Sequence, residues 1–223
     1  MSHLWLAVLC LVLMAVFIIA EHREMWVPGV VLKGLASLCF VILGILGNIG
    51  TVDARFGGLV LSGLVVGAIA DVLLNLRYVY KRWDKAIFAA GTVVFLIGHV
   101  LYTVAVWPRA AVPWLFVVLG AIATFFIMRW IFSKIEAPVP LKAIGVVYVG
   151  IVVILNCLAL SALFNHLGYQ SLVFFFGAAF FLVSDIILIL NTFGGSPQFK
   201  RRMVNLTLYY IGQILIALSL QLA

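Results

Sequence analysis

Apolar residues fill eight long runs along the chain, and polar residues are gathered almost entirely between them. The runs span approximately Leu4 to Ala20, Val31 to Ile49, Gly57 to Leu76, Ala86 to Val106, Val112 to Phe132, Leu141 to Leu160, Tyr169 to Leu190 and Met203 to Leu222. At 1.5 Å per residue, a run of about 17 to 22 residues crosses a hydrocarbon core of about 30 Å, so each predicts one transmembrane helix. Connections are short, with no linker or low-complexity tract. The prediction is an all-α polytopic membrane protein, a single eight-helix domain over residues 1–223. The first run lacks a basic stretch before it and a small-residue cleavage site after it, and is read as a helix rather than a signal peptide.

Polar residues inside the runs are few, and so they stand out. In the third run Gly63, Gly67, Asp71 and Asn75 recur every four residues and share one helical face: two glycines that admit a close neighbour, then an acid, then an amide. A carboxylate within a membrane helix costs about 2.5 to 3.5 kcal/mol on insertion scales, which makes Asp71 a functional candidate, against the plainer reading of a clasp between helices. Of seven acidic residues only Asp185, in the seventh run, is also placed mid-helix. Both acids are expected about six residues, roughly 9 Å, before the same end of their helices.

The two acids also share a sequence frame. A shift of 114 residues lays Gly63 and Asp71 on Gly177 and Asp185, and Gly98-His99 on Gly212-Gln213. Slightly smaller shifts lay Lys33 on Lys142 and Asn48 on Asn156. This is the signature of a four-plus-four parallel repeat, with the halves facing each other across an axis along the membrane normal. On that arrangement Asp71 and Asp185 converge near the axis.

Composition agrees: 66% of residues are hydrophobic and 9% charged, against about 25% charged in soluble domains. The net charge of +7 is a matter of placement. Twelve of the fourteen Lys and Arg fall in or beside the odd-numbered connections, and only Arg55 and Arg109 in the even ones, so the odd connections face the cytoplasm and both termini lie outside. That distribution argues against nucleic acid as a partner and leaves lipid phosphates as what the basic residues meet. All six tryptophans lie near run ends, where interfacial aromatics belong. Cys10, Cys39 and Cys157 have no metal spacing, and no pair of histidines has ligand spacing with an acid, so neither a metal nor another cofactor is expected. Neither a Gly-x-Ser-x-Gly elbow nor a phosphate-binding glycine loop is present.

His99 lies near mid-membrane with Phe95 and Tyr102 on its face. It reads equally as a proton-exchanging group and as a neutral histidine bonded to another helix. The eighth run opens with Tyr209-Tyr210 and has Gln213 one turn on.

The segment Ser62 to Leu73, the motif Phe95-Leu-Ile-Gly-His99-Val-Leu-Tyr102, Ser184-Asp185 and Tyr209-Tyr210-Ile-Gly-Gln213 together resemble the YhhN family, whose animal members are the transmembrane-protein-86 lysoplasmalogenases. The resemblance covers essentially the whole chain. It departs at Ala70-Asp71, where the family tends to have Gly-Asp, and at Lys33-Gly34-Leu35, where it tends to have Lys-Pro-Leu, which alters the expected shape of the second helix. The resemblance implies a membrane hydrolase in the cell membrane, most naturally a bacterial inner membrane. It would cleave the vinyl ether bond of a lysophospholipid to a fatty aldehyde and glycerophosphocholine or glycerophosphoethanolamine.

Two carboxylates suit that reaction. Protonating the β-carbon of an enol ether gives an oxocarbenium ion that water captures, so one acid must begin protonated and a second, ionised, must stabilise the cation, as in glycoside hydrolysis. Asp71 and Asp185 are the expected catalytic pair, with either as the acid. The substrate-binding set implied alongside them is Lys33, Asn75, His99, Tyr102, Ser184, Tyr210 and Gln213. In it Lys33 meets the phosphate or merely snorkels, His99 and Tyr102 position water or the ether oxygen, and the lipid tail follows the glycine-lined groove. Other readings of the same residues are a small proton-coupled transporter and a structural lipid-scaffolding protein.

Overall fold

The protein was analysed as a computed structural model that describes residues 3–49 and 51–222. Eight helices form: α1 Leu4–His22, α2 Trp26–Asn48, α3 Ala54–Val79, α4 Asp84–Val106, α5 Pro113–Phe132, α6 Val139–Asn165, α7 Tyr169–Phe193 and α8 Phe199–Ser219. All eight are long and apolar enough to cross a membrane, and no strand occurs among the described residues. With 19 to 27 residues each, they extend roughly 29 to 40 Å. Outward-facing Leu, Ile, Val and Phe are abundant, most of all on α5, as expected where the solvent is acyl chain rather than water.

Helix starts follow local chemistry. Asp53 caps α3 by accepting from the Phe56 amide at 3.0 Å and pairs with Arg109 at 3.0 Å; the Phe56 amide, then Arg109, hold its carboxyl below the usual carboxylate range. Pro113 opens α5, and Pro138 and Pro140 flank the start of α6, positions where a missing N–H costs nothing. α2 begins five residues earlier than its apolar run and passes through Gly34 unbroken. Lys33 therefore stands two turns inside the helix rather than at its mouth.

The halves repeat. Adding 114 to the ends of α3 gives 168 and 193, against the observed Tyr169–Phe193; adding it to α4 gives 198 and 220, against Phe199–Ser219. α3 and α4 approach closely at Gly63 and Gly98, and α7 and α8 at the matching Gly177 and Gly212. A methyl group built on Gly98 would lie 3.3 Å from the Gly63 carbonyl oxygen, and one built on Gly212 would lie 2.8 Å from that of Gly177. Between halves, α4 packs on α6 and α8 on α2, contacts that exchange when each helix is advanced by four. Asp71 and Asp185 each precede the end of their helix by eight residues, roughly 12 Å, two residues deeper than the apolar runs suggest.

Candidate active site

Asp71 is the hub of a buried polar network. Its Oδ1 lies 3.0 Å from Lys33 Nζ, and its Oδ2 accepts from Ser37 Oγ at 2.6 Å and Tyr209 OH at 2.5 Å. Lys33 and Ser37 are one turn apart on α2, so a single face of that helix supplies both the cation and the hydroxyl. Tyr210 OH is 3.4 Å from Ser37 Oγ and donates to the Lys33 carbonyl at 3.3 Å. Gln213 donates to Tyr209 OH at 3.4 Å and accepts from Tyr102 OH at 3.1 Å.

Asp185 is placed at the same depth in a barer setting. Its Oδ2 accepts from Tyr148 OH at 2.7 Å, and among the described residues no cation pairs with it. Its neighbour Ser184 belongs to a separate clasp: Asn205 Nδ2 donates to Ser184 Oγ at 2.8 Å, Arg202 donates to Asn205 Oδ1 at 3.2 Å, and Arg202 bonds both oxygens of Glu21 at 2.8 and 2.9 Å. That chain ties α1, α8 and α7 together, and Ser184, Asn205 and Arg202 line the same cavity as Asp185.

Both carboxyl groups line one cavity, partly open to the outside. Its wall comes from the halves of α3 to α8 nearest the basic connections, with Lys33 added from α2, so it lies toward the end of the bundle that bears most of the Lys and Arg residues. Leu74, Phe88, Phe132, Leu141, Leu188 and Phe193 make much of it apolar. A membrane-buried, largely apolar cavity with two convergent acids is a place to bring an apolar substrate against ionisable groups.

Among the residues singled out from sequence, Asp71, Asp185, Lys33, Asn75 and Ser184 line this cavity, while His99, Tyr102, Tyr210 and Gln213 stand behind its wall. Tyr102, Tyr210 and Gln213 brace the Asp71 network as described. His99 Nδ1 lies 2.9 Å from the Phe95 carbonyl, to which it must donate; its Nε2 is buried without a partner among the described residues, its ring packed against Phe181, Tyr148 and Tyr102. The glycine stripe is not an open groove for a tail. The Tyr102 ring fills the space over Gly63 and the Gln213 amide that over Gly67, and so the stripe admits the braces of Asp71 instead. Lys33 is likewise a partner of Asp71 rather than a residue at the water interface.

Sequence reasoning did not single out Ser37, Tyr148 or Arg202 for this site, and it mentioned Tyr209 without assigning it a role. Ser37 had a signal, the four-residue spacing from Lys33. Tyr148 had only its position as a lone phenol within an apolar run. No group of three His, Cys, Asp or Glu able to hold a metal occurs among the described residues.

No curated protein and no solved structure matches the chain. The model of the YhhN family matches residues 2–220, nearly the full length, and the protein is therefore a multi-pass membrane protein of the YhhN family.

Proposed function

We propose that the protein is a lysoplasmalogenase of the cell membrane, hydrolysing the vinyl ether bond of a 1-alkenyl lysophospholipid with Asp185 as the acid and Asp71 as the fixed anion. The observation that carries this reading is the opposite surroundings of two carboxyl groups in one cavity. Asp71 faces the Lys33 ammonium and two hydroxyl donors, a countercharge and hydrogen bonds that compensate a buried anion. Asp185 has one phenol and no countercharge among the described residues, and a buried charge without a partner is costly.

The chemistry follows from that difference. Asp185 gives its proton to the β-carbon of the alkenyl chain, and the former double-bond electrons form the new C–H bond. The resulting oxocarbenium ion is stabilised by the Asp71 carboxylate. Water adds to the cationic carbon and yields its proton to Asp185, which restores the acid. The hemiacetal then loses the glycerol oxygen, its hydroxyl proton passing to that oxygen, and releases aldehyde and alcohol. The division of labour matches that of glycosidases, where environment sets which of two carboxyls is the acid. The family membership supports the substrate, as its resemblance to lysoplasmalogenases implies.

The test is to incubate purified protein in detergent with a 1-alkenyl and a 1-acyl lysophospholipid and to measure both aldehyde and fatty acid. Aldehyde from the first without fatty acid from the second is expected. No aldehyde from folded protein would sink the reading, and proton movement in sealed vesicles without turnover in detergent would favour a transporter.

A further inference from the structure

Four basic side chains line the cavity: Lys33, Arg77, Lys142 and Arg202. Two are neutralised in place, Lys33 by Asp71 at 3.0 Å and Arg202 by Glu21 at 2.8 Å. Arg77 and Lys142 pair with no carboxylate among the described residues. Neither is a loosely solvated residue of a connection. Arg77, in the last turn of α3, lies over the rings of Tyr78 at 4.6 Å and Phe88 at 5.0 Å and donates to Tyr78 OH at 2.6 Å. Lys142, in the first turn of α6, lies 5.6 Å from the centroid of Phe132. Both are half-buried. Arg77 lies six residues, about two turns, beyond Asp71 on α3, and Lys142 lies six residues before Tyr148, the partner of Asp185, on α6, so both stand between the acids and the end of the bundle that bears the basic connections.

We propose that Arg77 and Lys142 form a binding site for the phosphate of a single-chain lipid whose tail occupies the cavity below. The argument is one of charge balance. A partly desolvated, mostly apolar chamber that keeps two cations without counter-ions is incomplete, and a phosphate supplies the missing charge through charge-assisted hydrogen bonds. Arg77 offers a planar fork already held by two aromatic faces, so little freedom is lost when it binds. Lys142 offers a point charge from the facing half of the bundle. The site rests on the lysophospholipid reading above, and it replaces Lys33, which is committed to Asp71, as the group that meets the headgroup. A phosphate fixed at this level holds the first bonds of the chain near the depth of the two acids. Arg77 and Lys142 are thereby specificity determinants, selecting phosphorylated over neutral alkenyl glycerols.

Binding can be separated from turnover with saturated 1-alkyl lipids, which contain no vinyl ether. Detergent-solubilised protein would be titrated with a 1-alkyl lysophospholipid, with the matching 1-alkylglycerol, and with inorganic phosphate as competitor. Wild type should prefer the phospholipid by about tenfold or more, the scale of one good charge-assisted contact. Arg77→Gln with Lys142→Gln should lose that preference while still binding the alkylglycerol, and Arg77→Lys should keep part of it. A role in topology alone would weaken both lipids alike. Equal binding of the two lipids by wild type, or an unchanged preference in the double variant, overturns the proposal. Displacement of the lipid by inorganic phosphate at comparable concentration would assign the cations to free phosphate and overturn it as well. Because no bond is broken in this assay, its outcome does not depend on whether the protein hydrolyses vinyl ethers.

Discussion

Lys33 and Asp71 form a buried ion pair, 3.0 Å from Nζ to Oδ1, with 5% and 2% of their side chains exposed. Two opposite charges at that depth are tolerable only together, since each alone is an uncompensated charge in a low-dielectric surrounding. Replacing Lys33 with Met should therefore destabilise the protein by about 3 kcal/mol, the scale for stripping one partner from a buried pair. Joining it to Asp71→Asn should recover most of the loss, because the second change removes the orphaned charge. Thermal unfolding in detergent checks both. Two independent, additive losses would show that the pair is not coupled.

The same pair separates the behaviour of the two aspartates. Asp185→Asn keeps the shape and an acceptor for Tyr148, and creates no unpaired cation. It should insert and unfold like wild type while aldehyde release falls by about 100-fold or more, the range for loss of a general acid. Asp71→Asn should lose activity too, yet with lowered thermal stability, because Lys33 is left without its anion. Measured turnover and melting of the two variants, side by side, discriminate a proton donor from a fixed anion. Near-normal turnover of Asp185→Asn would remove that residue from the chemistry.

Tyr148 is the sole protein donor to Asp185 among the described residues, at 2.7 Å. Tyr148→Phe leaves the ring packed against His99 and deletes only the hydroxyl. Turnover should fall by about tenfold, the cost of one hydrogen bond to a group that changes charge during reaction. A structural role alone would lower stability and leave the pH profile in place. The pH dependence of turnover is therefore the decisive measurement, and it should move in Tyr148→Phe, because the phenol bonds to Asp185 more strongly when that group is ionised.

The helices, their number and the equal depth of the two acids were legible because membrane length and charge placement depend on local sequence alone. The internal repeat was legible because glycine pairs such as Gly63 with Gly98 and Gly177 with Gly212 mark backbone approaches that recur at one fixed offset. The pairing of side chains was not. Lys33 looked like an interfacial lysine because its apolar run begins only at Val31, but α2 starts at Trp26 and carries it inward to Asp71. The stripe of Gly63 and Gly67 looked like a path for a lipid tail, and only the neighbouring helices reveal that Tyr102 and Gln213 fill it. Which aspartate has a countercharge is a property of α2 and α6 facing α3 and α7, and no periodicity within one helix encodes it.

The repeat leads to a last prediction, about packing rather than chemistry. At Gly212 an added methyl would meet the Gly177 carbonyl oxygen at 2.8 Å and the Phe181 amide nitrogen at 3.2 Å, both backbone atoms that cannot turn aside. At Gly98 it would meet the Gly63 carbonyl oxygen at 3.3 Å, a milder approach to the equivalent backbone of the other half. At Gly58 it would meet nothing within 4 Å. The order of damage for substitution by alanine should therefore be Gly212, then Gly98, then Gly58. The first should cost about 1 to 3 kcal/mol, the range for overpacking, and the last should be neutral or slightly stabilising, since alanine is the better helix former. Melting temperatures of the three variants test the order directly. Equal stability of Gly212→Ala and Gly58→Ala would mean that α7 and α8 do not meet at the glycines the repeat aligns.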